Sequence, residues 1–340
     1  MWSLSLYMVL LFTIELLQTT LAAPLTPPEE CIPEGGERTL KLIAITDLDK
    51  KARTSVTDWT WRAVKRSGEL HLNTEKGEIG VTWDPSSDQN VTTQLNVKGR
   101  GMELSDLANF NGHLLSPDDK TGMIYQIEGK KAIPWVFLNS GPGNTTSGMK
   151  AEWMTLKDGR LYVGGHGTEY RGKNGEVLST DPMWIKIVSP SGAVEHKDWT
   201  DVYKKIRQAA GFPAPGYLTH EAVQWSDIHQ KWFFLPRKHS KHVYDEAKDE
   251  RRGSNLLISA DDNIENIQVV KVGELDNRKR GYAAFEFVPG TCDYMIVAIK
   301  SKEIEDSTES YITVFDINGN VLLDDQKLEG SLKFEGLYFV

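Results

Sequence analysis

From residue 39 onward, apolar positions come in runs of four to eight residues broken by polar turn pairs. Runs of that length bounded by Asn-Gly or Asp-Gly predict strands joined in hairpins, because both residues of such a pair tolerate positive φ. Asn111-Gly112, Asp158-Gly159 and Asn318-Gly319 are three of these pairs. One unit recurs: a short approach, an acidic residue on a short apolar strand, a tight turn, then a strand rich in aromatic or β-branched residues. It reads GMELSDLANFNGHLLSPDD, KAEWMTLKDGRLYVGG and THEAVQWSDIHQKWFFLPRK, then GYAAFEFVPGTCDYMIVAIK, and last KFEGLYFV at the terminus. Taking Glu103, Glu152, Glu221, Ala284 and Glu335 as markers, with Ala284 near where the acid would stand, the separations are 49, 69, 63 and 51 residues. That spacing suits four-stranded propeller blades carrying loop insertions, and five markers predict an all-β, five-bladed β-propeller.

The fifth marker lies on the final strand, so the rest of its blade must come from the start of the body. TLKLIAITD, GELHLN and EIGVTWD are expected to supply it, so that N- and C-terminal strands share one blade and close the ring without an open edge. One segment has helical period instead: Trp199, Val202, Tyr203, Ile206, Ala209 and Ala210, stopped by Gly211 and Pro213. Its place before Glu221 makes it a decoration on a connection.

Composition adds boundaries. Thirty-nine per cent apolar residues in a chain of 340 supply a large core and exclude global disorder. The net charge of −9 argues against polymeric nucleic acid as a partner, because such surfaces are basic overall; small phosphorylated ligands stay open through local cations or a metal. LSLYMVLLFTIELL, about fourteen residues, is too short to span a bilayer, which takes roughly twenty apolar residues. Followed by Thr20-Leu21-Ala22, with Ala23-Pro24 beyond, it predicts a signal peptide over residues 1–22, without the usual basic start, then a flexible tail over 23–38 and the propeller over 39–340. The expected location is secreted or the lumen of the secretory pathway, with no membrane insertion after cleavage. Sequons at Asn90 and Asn144 suit glycosylation on that route. Cys31 and Cys292 are too few for a zinc site; they either bridge the tail to the body or remain two thiols.

The chemistry follows from convergence. In a propeller the first strand of each blade lines the channel, so acidic markers meet at the axis. Such carboxylates cannot all stay ionised in a partly desolvated channel unless a cation neutralises them or their pKa values rise. An all-oxygen, multi-carboxylate cage favours Ca²⁺ over Mg²⁺. Without convergence, these acids are ordinary solvated strand residues. Other motifs fail: GTEYRGKN lacks the Ser or Thr and the following helix of a phosphate loop, and neither HExxH nor a Gly-x-Ser-x-Gly elbow occurs. His166, His220, His239 and His242 are read as polar turn or core residues.

Beyond pattern, IAITDLDKKAR, KGRGMELSDL, GHLLSPDDKTGMIYQI, MKAEWMTLKDGRLYVGG, HEAVQWSDIHQKWFFLPRKHS, GYAAFEFVPGT and KFEGLYFV closely resemble the calcium-activated nucleotidases, or calcium-dependent apyrases, over roughly residues 40–340. The resemblance implies a five-bladed propeller with central Ca²⁺ that hydrolyses nucleoside di- and triphosphates, UDP, GDP, ADP and ATP among them, to monophosphate and phosphate. It places calcium ligands on Ser105, Asp106, Glu152, Glu221 and Glu335, with Ala284 offering only its backbone carbonyl where vertebrate relatives read Ser in GFSSF. It places the acidic catalytic positions on Asp47 and Asp119, with Glu103 close by, and phosphate-holding cations on Arg237 and Arg100. Trp153, Tyr170 and Trp184 are candidate base stackers, with core packing as the alternative for aromatic residues. Two rivals share the ring of acids: a non-catalytic propeller clamped by calcium, and a glycan-cleaving five-bladed enzyme with two acids across the channel.

Overall fold

The structure is a computed structural model that describes Cys31 and residues 36–54, 59–73, 75–173, 175–305 and 307–340. The expected signal peptide and most of the tail lie outside the described residues. Strands dominate. In chain order they are β1 (Glu37–Thr46), β2 (Trp61–Asn73), β3 (Glu78–Thr93), β4 (Ala108–Phe110), β5 (His113–Pro117), β6 (Met123–Glu128) and β7 (Lys131–Phe137). Then come β8 (Trp153–Lys157), β9 (Arg160–Gly164), β10 (Tyr170–Arg171), β11 (Val177–Ser179), β12 (Trp184–Val188), β13 (Val194–Asp198), β14 (Tyr217–Ser226) and β15 (Lys231–Ser240). The last are β16 (Leu256–Asp261), β17 (Gln268–Lys271), β18 (Arg280–Phe287), β19 (Met295–Ile304), β20 (Ser307–Asp316), β21 (Val321–Lys327) and β22 (Phe334–Phe339). β1 begins two residues inside the expected tail.

Three sheets are four-stranded, ordered β8-β9-β12-β13, β14-β15-β16-β17 and β18-β19-β20-β21. The eight-stranded sheet, β22-β1-β2-β3-β7-β6-β5-β4, is two such groups joined by the single parallel pair Thr92–Lys131. The C-terminal strand β22 pairs antiparallel with β1, as the strand count required. Two of the turn pairs behave as their sequences dictate: Asn111-Gly112 and Asp158-Gly159 both have positive φ and join strands in direct register. At the third, only Gly319 has positive φ, and the Asp316 carboxylate organises the turn by accepting the backbone N–H groups of Asn318 and Asn320.

Each group is too thin to bury its own apolar faces, so the cores lie between groups. One buried cluster joins the β8 and β14 groups through Trp153, Ile185, Trp225 and Trp232, and the helix α1 (Thr200–Ala209) adds Tyr203 and Ile206 to it, on the periodicity expected. A second joins the β14 and β18 groups, a third the β18 group and β22-β1-β2, a fourth the latter group and the approach to β4, and the fifth the β4 and β8 groups. The sequence of interfaces therefore returns to its start, an all-β, propeller-like arrangement.

The closure is tight at Gly336 on β22. A Cβ there would stand 2.7 Å from Ile45 Cγ2 and 2.8 Å from the Asp106 carbonyl carbon. Gly336→Ala is expected to destabilise the protein by about 1–3 kcal/mol, the ordinary cost of overpacking. Urea unfolding checks this, and an unchanged midpoint would show that the seam tolerates displacement.

Candidate metal and catalytic centre

The first strands β14, β18 and β22 share one irregularity. In β14, Thr219 pairs with Lys238, His220 with Pro236 and Ala222 with Leu235, so the ladder skips Glu221 on this strand and Arg237 on its partner β15; in β22, Gly336 pairs with Ile45 and Phe334 with Thr46, leaving Glu335. A bulge of this kind bends the strand and re-aims the unpaired side chain, which a regular two-residue repeat cannot do. In β18, Tyr282 pairs with Lys300 and Ala284 with Ile299, so the bulged residue is Ala283. Ala284, the expected fourth position, is a paired residue of the ladder, and the residue equivalent in register to Glu221 and Glu335 is Ala283. By turn register, Ser105 stands where Glu152 stands in the next group.

Around these positions lies a network of opposite charges. His166 Nε2 is 2.8 Å from Glu152 Oε1 and 3.2 Å from Glu221 Oε1. Arg237 donates to Glu221, to Glu335 Oε1 at 2.7 Å and to Glu303 Oε2 at 3.3 Å. Lys150 reaches Glu152 Oε1 at 2.6 Å and also bonds Asp119. Lys333 bonds Asp47 Oδ2 and Asp49 Oδ2, each at 2.7 Å. Burial opposes ionisation of Glu221, yet Arg237 holds its carboxyl well below the usual range. Glu335 goes the other way: burial lifts it to about 7 against the pull of Lys333 and Arg237. Burial works against the His166 cation, but Glu152 raises it to about 9.

The donor set suits a hard divalent cation. Glu152, Glu221 and Glu335 are each at most 8 % exposed, and Ser105 Oγ is buried without a hydrogen-bond partner. An orphaned hydroxyl among mutually repelling carboxylates from separate strand groups is what an oxygen-coordinated Ca²⁺ would satisfy. Asp106 is engaged differently: Oδ1 accepts its neighbour Leu107 N–H at 2.8 Å and Oδ2 accepts Met154 N–H at 2.6 Å, which ties the approach to β4 onto β8.

A second cluster adjoins the first. Carboxylate oxygens of Asp47, Glu103 and Asp119 lie within 4.8 Å of one another, brought together by the bridge between Asp47 and Glu103 and by the turn after β5. Neighbours in SPDDK diverge: Asp118 accepts the N–H groups of Met102, Lys120 and Thr121, whereas Asp119 faces the cluster with Oδ1 unpartnered. Burial lifts Asp119 to about 7, with Lys150 opposing, and burial holds Asp47 well above the carboxylate range. Glu103 is clamped by Arg100, which also reaches Asp49 Oδ1 at 3.0 Å.

Trp153 is corrected outright. It is 0 % exposed, its indole N–H donates to Gly165 O at 3.1 Å, and it packs against Trp199 and Trp232, so no base can stack on it. Trp184 is half-buried, whereas Tyr170 on β10 is 62 % exposed. Cys31 and Cys292 are joined in a disulfide, and Asn90 and Asn144 are both exposed. Lys150, His166, Asp49 and Lys333 escaped sequence reasoning. A signal existed for two of them: Lys150 and Lys333 each precede a marker Glu by two positions, which on a strand is the same face.

Comparison with known proteins identifies the family. The Apyrase family model matches residues 48–340. The chain is 48% identical over 307 residues to "Apyrase apy-1" of Caenorhabditis elegans, covering 90% of this chain and 86% of that one. It is 45% identical over 318 residues to "Soluble calcium-activated nucleotidase 1" of Rattus norvegicus, covering 93% and 77%, and 41% identical over 317 residues to "Apyrase" of Cimex lectularius, covering 93% and 86%. The chain belongs to the apyrase family.

A ligand that binds only the folded state stabilises it by about 2.7 kcal/mol at a hundred times its dissociation constant. Calcium is therefore expected to raise the unfolding midpoint of the wild type. A Glu152→Gln, Glu221→Gln double variant should lose that increment whatever its basal stability, and retention of the increment would place the ion elsewhere.

Proposed function

We propose that this protein is a calcium-dependent apyrase that hydrolyses nucleoside di- and triphosphates to monophosphate and phosphate in the secretory lumen or outside the cell. The observation that carries the reading is the juxtaposition of two acid clusters bridged by Lys150, in a chain 45% identical to a calcium-activated nucleotidase. The four-strand groups are read as five blades, with Ser105, Glu152, Glu221, Glu335 and the Ala283 carbonyl turned to one axis. The disulfide and the two exposed sequons support the oxidising, lumenal setting. Among the described residues no helix is long and apolar enough to cross a membrane.

The reaction forms a bond from water oxygen to phosphorus and breaks the bond to the nucleotide's bridging oxygen, while a proton leaves the water. Bound Ca²⁺ supplies charge neutralisation on the phosphate oxygens. The protein's own part is to surround a polyanion with cations and to place a base beside the water. Arg237, Lys150, Lys333 and Arg100 are the cations at hand, each paired with carboxylates. Asp119 is the base: its unpartnered Oδ1 and its pKa near neutrality suit a group that must take a proton at physiological pH. Asp47 stands within reach of the same point, with Glu103 holding Arg100. Of the three candidate stackers, Tyr170 is the exposed one.

Phosphate release from UDP, ADP and ATP tests this with calcium, with magnesium alone and with a chelator. Release in calcium only is expected; none in any condition would leave a binding propeller, and turnover of glycans instead would favour a glycosidase. Asp119→Asn should lower kcat by roughly 10²- to 10⁴-fold. Because the base must be ionised, wild-type kcat/KM should rise with pH through about 7, and this limb should vanish in Asp119→Asn. A limb that survives the substitution assigns the proton elsewhere.

A further inference from the structure

His166 has no place in an all-oxygen calcium cage, yet the fold delivers it there. It follows β9 in the run Gly165-His166-Gly167, and its carbonyl accepts the backbone N–H of His220 at 2.8 Å, which locks it beside Glu221 on β14. The flanking glycines are there for space: a Cβ on Gly165 would stand 2.7 Å from Lys150 O, and one on Gly167, at φ +66°, 2.3 Å from the Tyr203 ring. The chain therefore runs through a gap closed by Lys150 on one side and α1 on the other, and presents the imidazole to the carboxylates. One nitrogen, Nε2, faces both Glu152 Oε1 and Glu221 Oε1, and the donor atoms of the three residues lie within 4.8 Å of one another. Two carboxylates and an imidazole converging on one point form a mixed nitrogen and oxygen donor set. Imidazole is a ligand of Mn²⁺, Co²⁺ and Zn²⁺, whereas Ca²⁺ takes oxygen.

We propose that His166 is a nitrogen ligand of the central metal site, through which this protein accepts a divalent first-row transition ion at the position calcium occupies. The inference rests on the reading of Glu152 and Glu221 as the metal's acids. It makes the centre one with two classes of occupant, distinguished by whether the imidazole is bound. Calcium is held by the oxygens alone. A transition ion additionally draws in Nε2, which in the absence of metal donates to Glu152 and Glu221.

Mn²⁺ is the probe. Bound to the full chain stripped of metal, it should show ¹⁴N coupling in pulsed electron paramagnetic resonance, and protein grown with ¹⁵N-histidine should convert that coupling to ¹⁵N. Excess Ca²⁺ should displace the bound Mn²⁺ and remove the signal. In His166→Gln the coupling should disappear, with Mn²⁺ affinity falling about tenfold or more and Ca²⁺ affinity, read by calorimetry, changing less than about threefold. Mn²⁺ that binds and is displaced by Ca²⁺ but shows no histidine coupling in the wild type overturns the proposal while leaving the calcium centre standing. Equal losses of both affinities in His166→Gln reduce His166 to a charge partner of the two acids, which also overturns it. Failure of the wild type to bind either ion sinks the reading of the centre itself. The wild-type isotope result needs no variant to fold.

Discussion

Everything at the centre of this molecule follows from the repulsion of carboxylates brought into one confined, partly dry space. A buried charge is costly unless it is paired and hydrogen-bonded, and several like charges together compound the cost. The chain answers with Lys150, His166, Arg237 and Lys333, each touching at least two acids. These pairs are better seen as a means of assembling the site than as a source of stability, because the desolvation of both partners offsets most of their attraction. What holds the ring together is the apolar packing between groups. What it holds is a set of charges ready to trade partners when a cation or a phosphate arrives.

The bulges explain how the strands present those charges. A strand alternates sides, so a residue pointed into a sheet-to-sheet core cannot also face the axis. Inserting one unpaired residue at Glu221, Ala283 and Glu335 releases that position from the alternation. In the β18 group the released position is an alanine, so one side of the ring offers no acid and contributes less repulsion. His166 enters from the connection after β9, within the β8 group but outside the repeated unit.

Adjacent acids take unlike roles for local reasons. Asp118 and Asp106 spend their carboxylates on backbone N–H groups and fix the loops that carry the site. Asp119 and Glu103, one and three residues from them, face the cluster instead. Glu103 is neutralised by Arg100, three residues earlier in the same loop, while Asp119 depends on Lys150 from the next group, so its environment is set by how two groups meet.

The turn pairs, the apolar runs, the recurrence of the unit and the helix α1 were all legible in the chain, because each is a local preference written within a short stretch of residues. So was the closure of the last group by the N-terminal strands, since a terminal strand without partners leaves few alternatives. Family strings pointed to Asp47, Asp119, Arg237, Glu152, Glu221 and Glu335 and named Ala284 for the fourth position, whereas strand register puts Ala283 in the place of Glu221 and Glu335, because a bulge moves the register by one and leaves no mark in composition. Trp153 read equally well as a stacker or a core residue; only the packing of β8 against Trp199 and Trp232 decided for the core. His166, Lys150 and Lys333 became site residues through contacts across groups, some with partners nearly the whole chain away. Sequence determines which side chains exist and which face of a strand they prefer. Which charges share a space depends on the angle at which the groups pack, and that is set by all the cores together.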